Sequence, residues 1–251
     1  MSNEIGTLLP GKSDAGALDR RVFLLALGTL MVTLTGCVPR AAREPGGAKN
    51  ADAAPDPGVA LQDPSVAEAS GDLLDAMKRR RSVRSFTDTP VSEEHVARML
   101  WAAQGVTDSV HDFRAAPSAG ALYPLELYVA SAKGVGRYVP KRHELEEARR
   151  TDVRVALAGA SLGQMFVAEA PVVFVITGVY ERTAAKYGDR AARYVHIEAG
   201  HAAQNILLVA TSLGFGSVPV GAFADEVVRE VVGAAHEETP LYVIPVGAHA
   251  E

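Results

Sequence analysis

Five of the nine residues from Lys78 to Phe86, KRRRSVRSF, carry a positive charge in a chain whose formal net charge is −5. Lysine and arginine at the C-terminal end of a helix complement its dipole, which accounts for Lys78, Arg79 and in part Arg80. Beyond the helix end, Arg80, Ser82 and Arg84 alternate, and alternation in an extended segment puts three side chains on one side. Two guanidinium forks and a hydroxyl so placed can surround a phosphate with charge-assisted, partly bidentate hydrogen bonds. The chemistry implied is recognition of a small anion. Nucleic acid is excluded as the main partner, because tracking a phosphate backbone needs a basic field over a whole face, and the chain is acidic overall.

Three further stretches hold groups that could act. APSAGALYP (Ala116 to Pro124) combines prolines, small residues and Gly120, so its backbone can approach a flat ring closely; a plain turn would use the same residues. GFGSVPVGAF (Gly214 to Phe223) offers backbone N–H groups near Pro219, Val220, Gly221 and Ala222, or else simply joins a helix to a strand. Lys186 and Tyr187 form a pair in which either could serve as general base if burial tunes its pKa. His201, Gln204 and Asn205 fall on or beside an apolar stripe and read as core or interface polar groups rather than catalysts. No metal site is expected.

These residues need a scaffold, and 251 residues that are 48% hydrophobic can build one substantial core. Val66, Leu73, Leu74 and Met77 follow helical spacing up to the basic run. Ser92 can cap a second helix with Glu93 and Glu94 in its first turn and Val96, Met99, Leu100 and Ala103 on one face. Leu125 to Ser131 and Pro171 to Val179 read as strands separated by helices; the second barely alternates and should be buried on both faces. A long helix is expected over roughly Arg190 to Leu213, a short one over FADEVVREVVG, and a last strand over PLYVIPVG. The order gives an α+β domain, residues 66–251, with a mixed sheet flanked by helices.

The N-terminal stretch reads differently. Asp19, Arg20 and Arg21 lead into an uncharged run from Val22 to Gly36, about 15 residues, short of the roughly 20 that span a bilayer. Arg20-Arg21-Val22-Phe23-Leu24 resembles a twin-arginine export signal, and Leu34-Thr35-Gly36-Cys37 resembles a lipobox whose cysteine sulfur receives a diacylglycerol. Cys37 is the only cysteine, so no intrachain disulfide exists. Residues 1–37 are expected to be a signal peptide and 38–65, rich in Ala, Pro, Gly and Asp, a flexible linker.

Taken together, RRSVRSF, PSAGALYP, EAGHAAQNILLVATSLGFGSVPVGAF and the final strand ending in Gly247 resemble the nitroreductase family, and within it the SagB-type dehydrogenase branch. The resemblance covers about residues 70 to 248, with the segments in family order. It implies FMN held without a covalent bond at the interface of a homodimer. By position, Arg80, Arg81, Ser82 and Arg84 become phosphate ligands, and Pro117, Ser118, Ala119, Gly120 and Leu122 lie beside the isoalloxazine. Pro219, Val220, Gly221 and Ala222 face its N5 edge, where amides can support negative charge on a reduced ring. Lys186 and Tyr187 resemble the pair that azoline-oxidising members use in proton transfer. In one respect the chain departs from the pattern: PVGAHAE lacks the basic residue that many members carry near the C-terminus to help bind phosphate.

The resemblance implies a lipid-anchored, FMN-dependent oxidoreductase on the extracytoplasmic side of a membrane, dehydrogenating a small or peptide-derived substrate. A twin-arginine route carries folded cargo, which suits a coenzyme bound in the cytoplasm, and outside the membrane NAD(P)H should be scarce. The alternatives are an NAD(P)H-dependent nitro or quinone reductase, a flavin-binding lipoprotein without turnover, and a site for some other phosphate ligand.

Overall fold

The computed structural model describes residues 58–61 and 73–249. The expected signal, Cys37 and most of the expected linker lie outside the described residues. Within that linker stretch, however, Val59–Ala60 form a strand, β1, paired antiparallel with Leu145 and Glu144.

Helix α1 (Leu73–Arg79) ends on Lys78 and Arg79, as the dipole favours. Of its apolar side chains only Ala76 is buried: Leu73, Leu74 and Met77 are all at least half exposed in the single chain. In α2 (Glu93–Gln104), the Ser92 hydroxyl accepts the His95 N–H at 3.2 Å, and Val96, Met99, Leu100 and Ala103 are buried on one face. A short hairpin, β2 (Val106–Asp108) with β3 (Phe113–Arg114), precedes three strands connected by tight turns: β4 (Leu125–Ser131), β5 (Gly134–Val139) and β6 (Glu144–Arg149). Where helices were expected between the two central strands, β5 and β6 come first. The helices follow, α3 (Arg154–Ala160) and α4 (Phe166–Glu169). Then come β7 (Val172–Gly178), α5 (Tyr180–Tyr187), the long α6 (Ala191–Ser212), β8 (Gly216–Ser217), α7 (Asp225–Val232) and β9 (Thr239–Gly247).

The main sheet runs β1-β6-β5-β4-β7-β9-β8. Every paired strand in it is antiparallel, not mixed as expected, and its parallel component shrinks to one isolated bridge between Ser82 and Ser217. Tight turns impose this on β4, β5 and β6, which follow one another directly, since parallel neighbours need a long crossover.

Alternation along the central strands divides the core into two layers. Val172, Phe174 and Ile176 of β7 face α2 and α6, while Val173 and Val175 face α3, α4 and α7. Both faces are covered, which is why the β7 sequence shows no polar side. Each such side chain contributes about 1.5–3 kcal/mol through burial. One buried carboxylate, Glu238, ties the turn before β9 to the sheet: it accepts from the Tyr128 hydroxyl at 2.9 Å, the Thr177 hydroxyl and the Ala235 N–H at 3.3 Å. Burial first, and the nearby Glu238 carboxylate second, push the Tyr128 hydroxyl pKa up, so that it stays a donor.

Candidate active site

The candidate residues gather at two places, one near each end of α6. At its C-terminal end the basic segment leaves α1 in extended form. Arg79 spans from Asp75, at 2.6 Å, to the Thr211 carbonyl at 3.4 Å, which anchors the segment to α6. The Val83 N–H donates to the Ser217 carbonyl at 3.0 Å, so Ser82 lies beside β8. Arg81 turns back and donates to the carbonyls of Lys78 at 2.9 Å and Arg80 at 2.8 Å, closing the end of α1. Arg80 is half-buried, and its guanidinium has no partner among the described residues. Arg84 is exposed, 6.0 Å from the Phe166 ring centre. The Ser217 hydroxyl beside Ser82 is buried without a hydrogen-bond partner among the described residues.

The segment after β8 joins this group. Val220 and Val243 exchange two backbone hydrogen bonds, at 2.8 and 3.0 Å, fixing Pro219 and Val220 to β9. The next two amides, on Gly221 and Ala222, are exposed and make no hydrogen bond among the described residues. Gln164 donates to the Ala222 carbonyl at 3.2 Å, so the turn from Gln164 to Phe166 touches both Ala222 and Arg84. The arrangement offers unpaired guanidinium, hydroxyl and amide donors around one exposed surface. That donor set fits a flavin mononucleotide, with its phosphate on the arginines and its ring edge on the amides.

Near the N-terminal half of α6 lies the loop from Pro117 to Leu122. Its backbone enters the left-handed region three times, at Gly120 (φ 64°), Ala121 (φ 54°) and Tyr123 (φ 47°). The Ser118 hydroxyl accepts the Tyr123 N–H at 2.9 Å, and the Ala119 N–H donates to the Glu198 carboxylate at 2.8 Å. Gly120 sits against the last turn of α5. A Cβ there would come within 2.9 Å of both the Lys186 Nζ and the Tyr187 Oη. The positive φ and this close approach favour glycine, and the loop lies directly over the Lys-Tyr pair. Lys186 is exposed, and its Nζ is 5.5 Å from the centre of the half-buried Tyr187 ring, which packs edge-on against Tyr194 at 5.0 Å. Neither Lys186 nor Tyr187 makes a side-chain hydrogen bond among the described residues, so both polar ends are free for a ligand.

Glu198 was given no role by the sequence reading. It is buried, and burial raises its pKa, against the lowering effect of the Ala119 N–H, the Ser118 hydroxyl and His201. The signal was present: Val195, Ala199 and Ala202 form a buried face, and Glu198 is the one acid placed on it. The other polar groups of α6 divide as its faces do. His201 and Gln204 are exposed beside Ile197, whereas Asn205 ties α6 to α2 by donating to the Ala102 carbonyl at 2.8 Å.

Between Glu198 and Thr211, α6 advances by about 20 Å at 1.5 Å per residue. One chain therefore brings Gly120 to Lys186 and Tyr187 near one end of α6, and sets Ser82 beside Ser217, just before the Pro219–Ala222 segment, near the other.

Comparison with known proteins agrees with this architecture. A model described as "Nitroreductase family" matches residues 77–248. A protein of Methanocaldococcus jannaschii, provisionally named a nitroreductase, is 45% identical over 197 residues, covering 76% of this chain and 97% of its own length. The trifolitoxin operon protein TfxC of Rhizobium leguminosarum bv. trifolii is 27% identical over 208 residues, 74% of this chain; the match spans only 58% of TfxC. Among solved structures, a provisionally named nitroreductase of Ralstonia eutropha superposes with a TM-score of 0.71 at 28% identity, covering 78% of this chain and 91% of that one.

Proposed function

The chain belongs to the nitroreductase family, and from that premise we propose that it is an FMN-dependent oxidoreductase, active as a homodimer, that dehydrogenates an organic substrate. Members of the family generally use a flavin and are usually homodimers. Bound FMN would supply a ring nitrogen, N5, able to accept hydride. Every other task falls to this chain's residues. Arg80 and Arg84, with the Ser82 hydroxyl, hold the phosphate, and the free Gly221 and Ala222 amides face the flavin ring. In the dimer the arginine end of one copy meets the Gly120 loop of the other, an assembly supported by the exposed apolar side chains of α1 and by Ile197 on α6. Glu198 fixes the loop through Ser118 and Ala119, and the loop in turn fixes the Lys186 Nζ and Tyr187 Oη, one of which takes the substrate's proton.

The observation that carries this reading is the contact of Gly120 with both Lys186 and Tyr187, which joins a ring-facing loop to a proton acceptor. We also propose that the chain is exported by its twin-arginine signal and anchored through a lipid on Cys37, so that the electrons pass to an acceptor other than NAD(P)+. In a Cys37→Ser variant the protein should leave the membrane fraction.

The test of the redox assignment is spectral. Purified native protein should be yellow, dimeric by sedimentation, and unbleached on anaerobic mixing with NADPH. Rapid bleaching would make it an NAD(P)H-dependent reductase, and a colourless monomer would remove the flavin altogether.

A further inference from the structure

Immediately beyond the Gly120 loop is a cavity of about 370 Å3, lined among others by Arg114, Leu122, Tyr123, Lys141 and Arg182. Four basic side chains line it, and three are already matched. Lys141 pairs with Asp112 at 2.7 Å, Arg182 with Glu126 at 2.6 Å, and His111 with Asp108 at 2.8 Å. Arg114 forms no ion pair among the described residues; the carboxylate that acts on it at longer range, Glu126, is already paired with Arg137 and Arg182. One arm of its guanidinium donates to the neutral Gln104 amide oxygen at 3.0 Å, and its plane lies over the Tyr123 ring at 4.4 Å. The side chain is half-buried, and burial lowers its pKa from the ordinary arginine value, although a guanidinium keeps its proton regardless. A half-buried cation whose remaining N–H donors face a cavity is costly unless an anion completes it.

Its position says what that anion is attached to. Arg182, on the cavity wall, and Lys186 are one helical turn apart on α5, and the cavity lining Ala121-Leu122-Tyr123 continues directly from Gly120. An anion resting on Arg114 would thus have the rest of its molecule beside Lys186 and Tyr187. We propose that this cavity is the substrate's anchoring subsite and that Arg114 takes a carboxylate there, so that the organic compound being oxidised is a carboxylic acid or a peptide terminus. A carboxylate suits the site better than a phosphate does. One planar fork matches one planar monoanion, and Asp112 on the wall repels a dianion. The proposal rests on the oxidoreductase reading for the identity of the molecule, though not for the binding itself.

Titration calorimetry on the flavin-loaded dimer with benzoate, benzamide and inorganic phosphate tests it. Benzoate should bind about tenfold or more tightly than benzamide, the equivalent of one charge-assisted contact, and more tightly than phosphate. Arg114→Gln should bring benzoate down to the benzamide level with the visible spectrum unchanged. Arg114→Lys, which keeps the charge and loses the fork, should fall between, and it decides the matter if the glutamine variant does not fold. Equal binding of benzoate and benzamide, an undiminished affinity in both variants, or a preference for phosphate would each overturn the assignment. A colourless preparation that still discriminates benzoate would sink the redox reading and spare the subsite. A yellow one that does not discriminate would do the reverse.

Discussion

The two ends of α6 differ in how their polar groups are satisfied. At the Glu198 end the loop is bound into the protein: Ser118 and Ala119 are held by a buried carboxylate, and Gly120 is fitted against two side chains with no room for a methyl group. At the Thr211 end the Arg80 guanidinium and the Gly221 and Ala222 amides are left open, and the Ser217 hydroxyl is buried without a partner among the described residues. One end is a finished surface; the other carries donors without partners among the described residues. The contrast teaches that a fitted surface and open polar groups can be separated along one helix, and under the proposed function the first would serve positioning and the second affinity.

The contrast should break most severely when the open end is stripped. Arg80→Ala with Arg84→Ala should weaken FMN retention by about 3–6 kcal/mol, since each hydrogen bond to a charged group contributes about 1.5–3 kcal/mol. Flavin content after gel filtration measures this, and an unchanged content would remove the phosphate assignment. The finished end should lose turnover and not flavin. In Gly120→Ala a Cβ would force Lys186 and Tyr187 aside, and displacement of that order costs about 100-fold in rate. Steady-state kinetics beside the absorption spectrum separate the two effects. Leu74→Glu, on the exposed face of α1, should shift sedimentation from dimer to monomer while leaving the secondary structure intact.

The smallest effect concerns pH. The Glu198 pKa is raised on folding above its ordinary 4.5, so the folded state holds its proton more tightly than the unfolded chain does. Its contribution to stability is full below that ordinary value and is lost as pH rises through the raised one. Urea melts at several pH values should therefore show Glu198→Gln losing less stability than the parent over that rise. Parallel curves would show that Glu198 does not titrate there.

Much of the frame was legible in the sequence, for reasons visible in particular elements. Helix α2 had its cap and a clean apolar face, β7 opened with five apolar residues in a row, β4 was apolar apart from Glu126 and Ser131, and α6 kept its periodicity through twenty-two. Strand β6, ELEEAR, was not legible, because glutamate and alanine favour helix and its side chains are largely outside the core; pairing with β5 overrides that preference. Neither β1 nor Arg114 could be found either. The first is two residues of a stretch without pattern. The second matters through Gln104, Tyr123 and the lack of an ion pair of its own, relations that spacing does not encode. Of the Arg-Ser-Arg alternation, Ser82 lies beside β8 and Arg84 near the Phe166 ring, while Arg81, whose neighbours suggested a fourth ligand, is turned to the end of α1.

Strand β1 has a practical consequence. By covering the outer rim of β6 it occupies amide and carbonyl groups that would otherwise be open to a second molecule, and open rims of this kind recruit foreign strands. Recombinant versions shortened at the N-terminus should therefore begin upstream of Gly58. A version beginning at Leu73 would uncover the β6 rim and invite self-association through it.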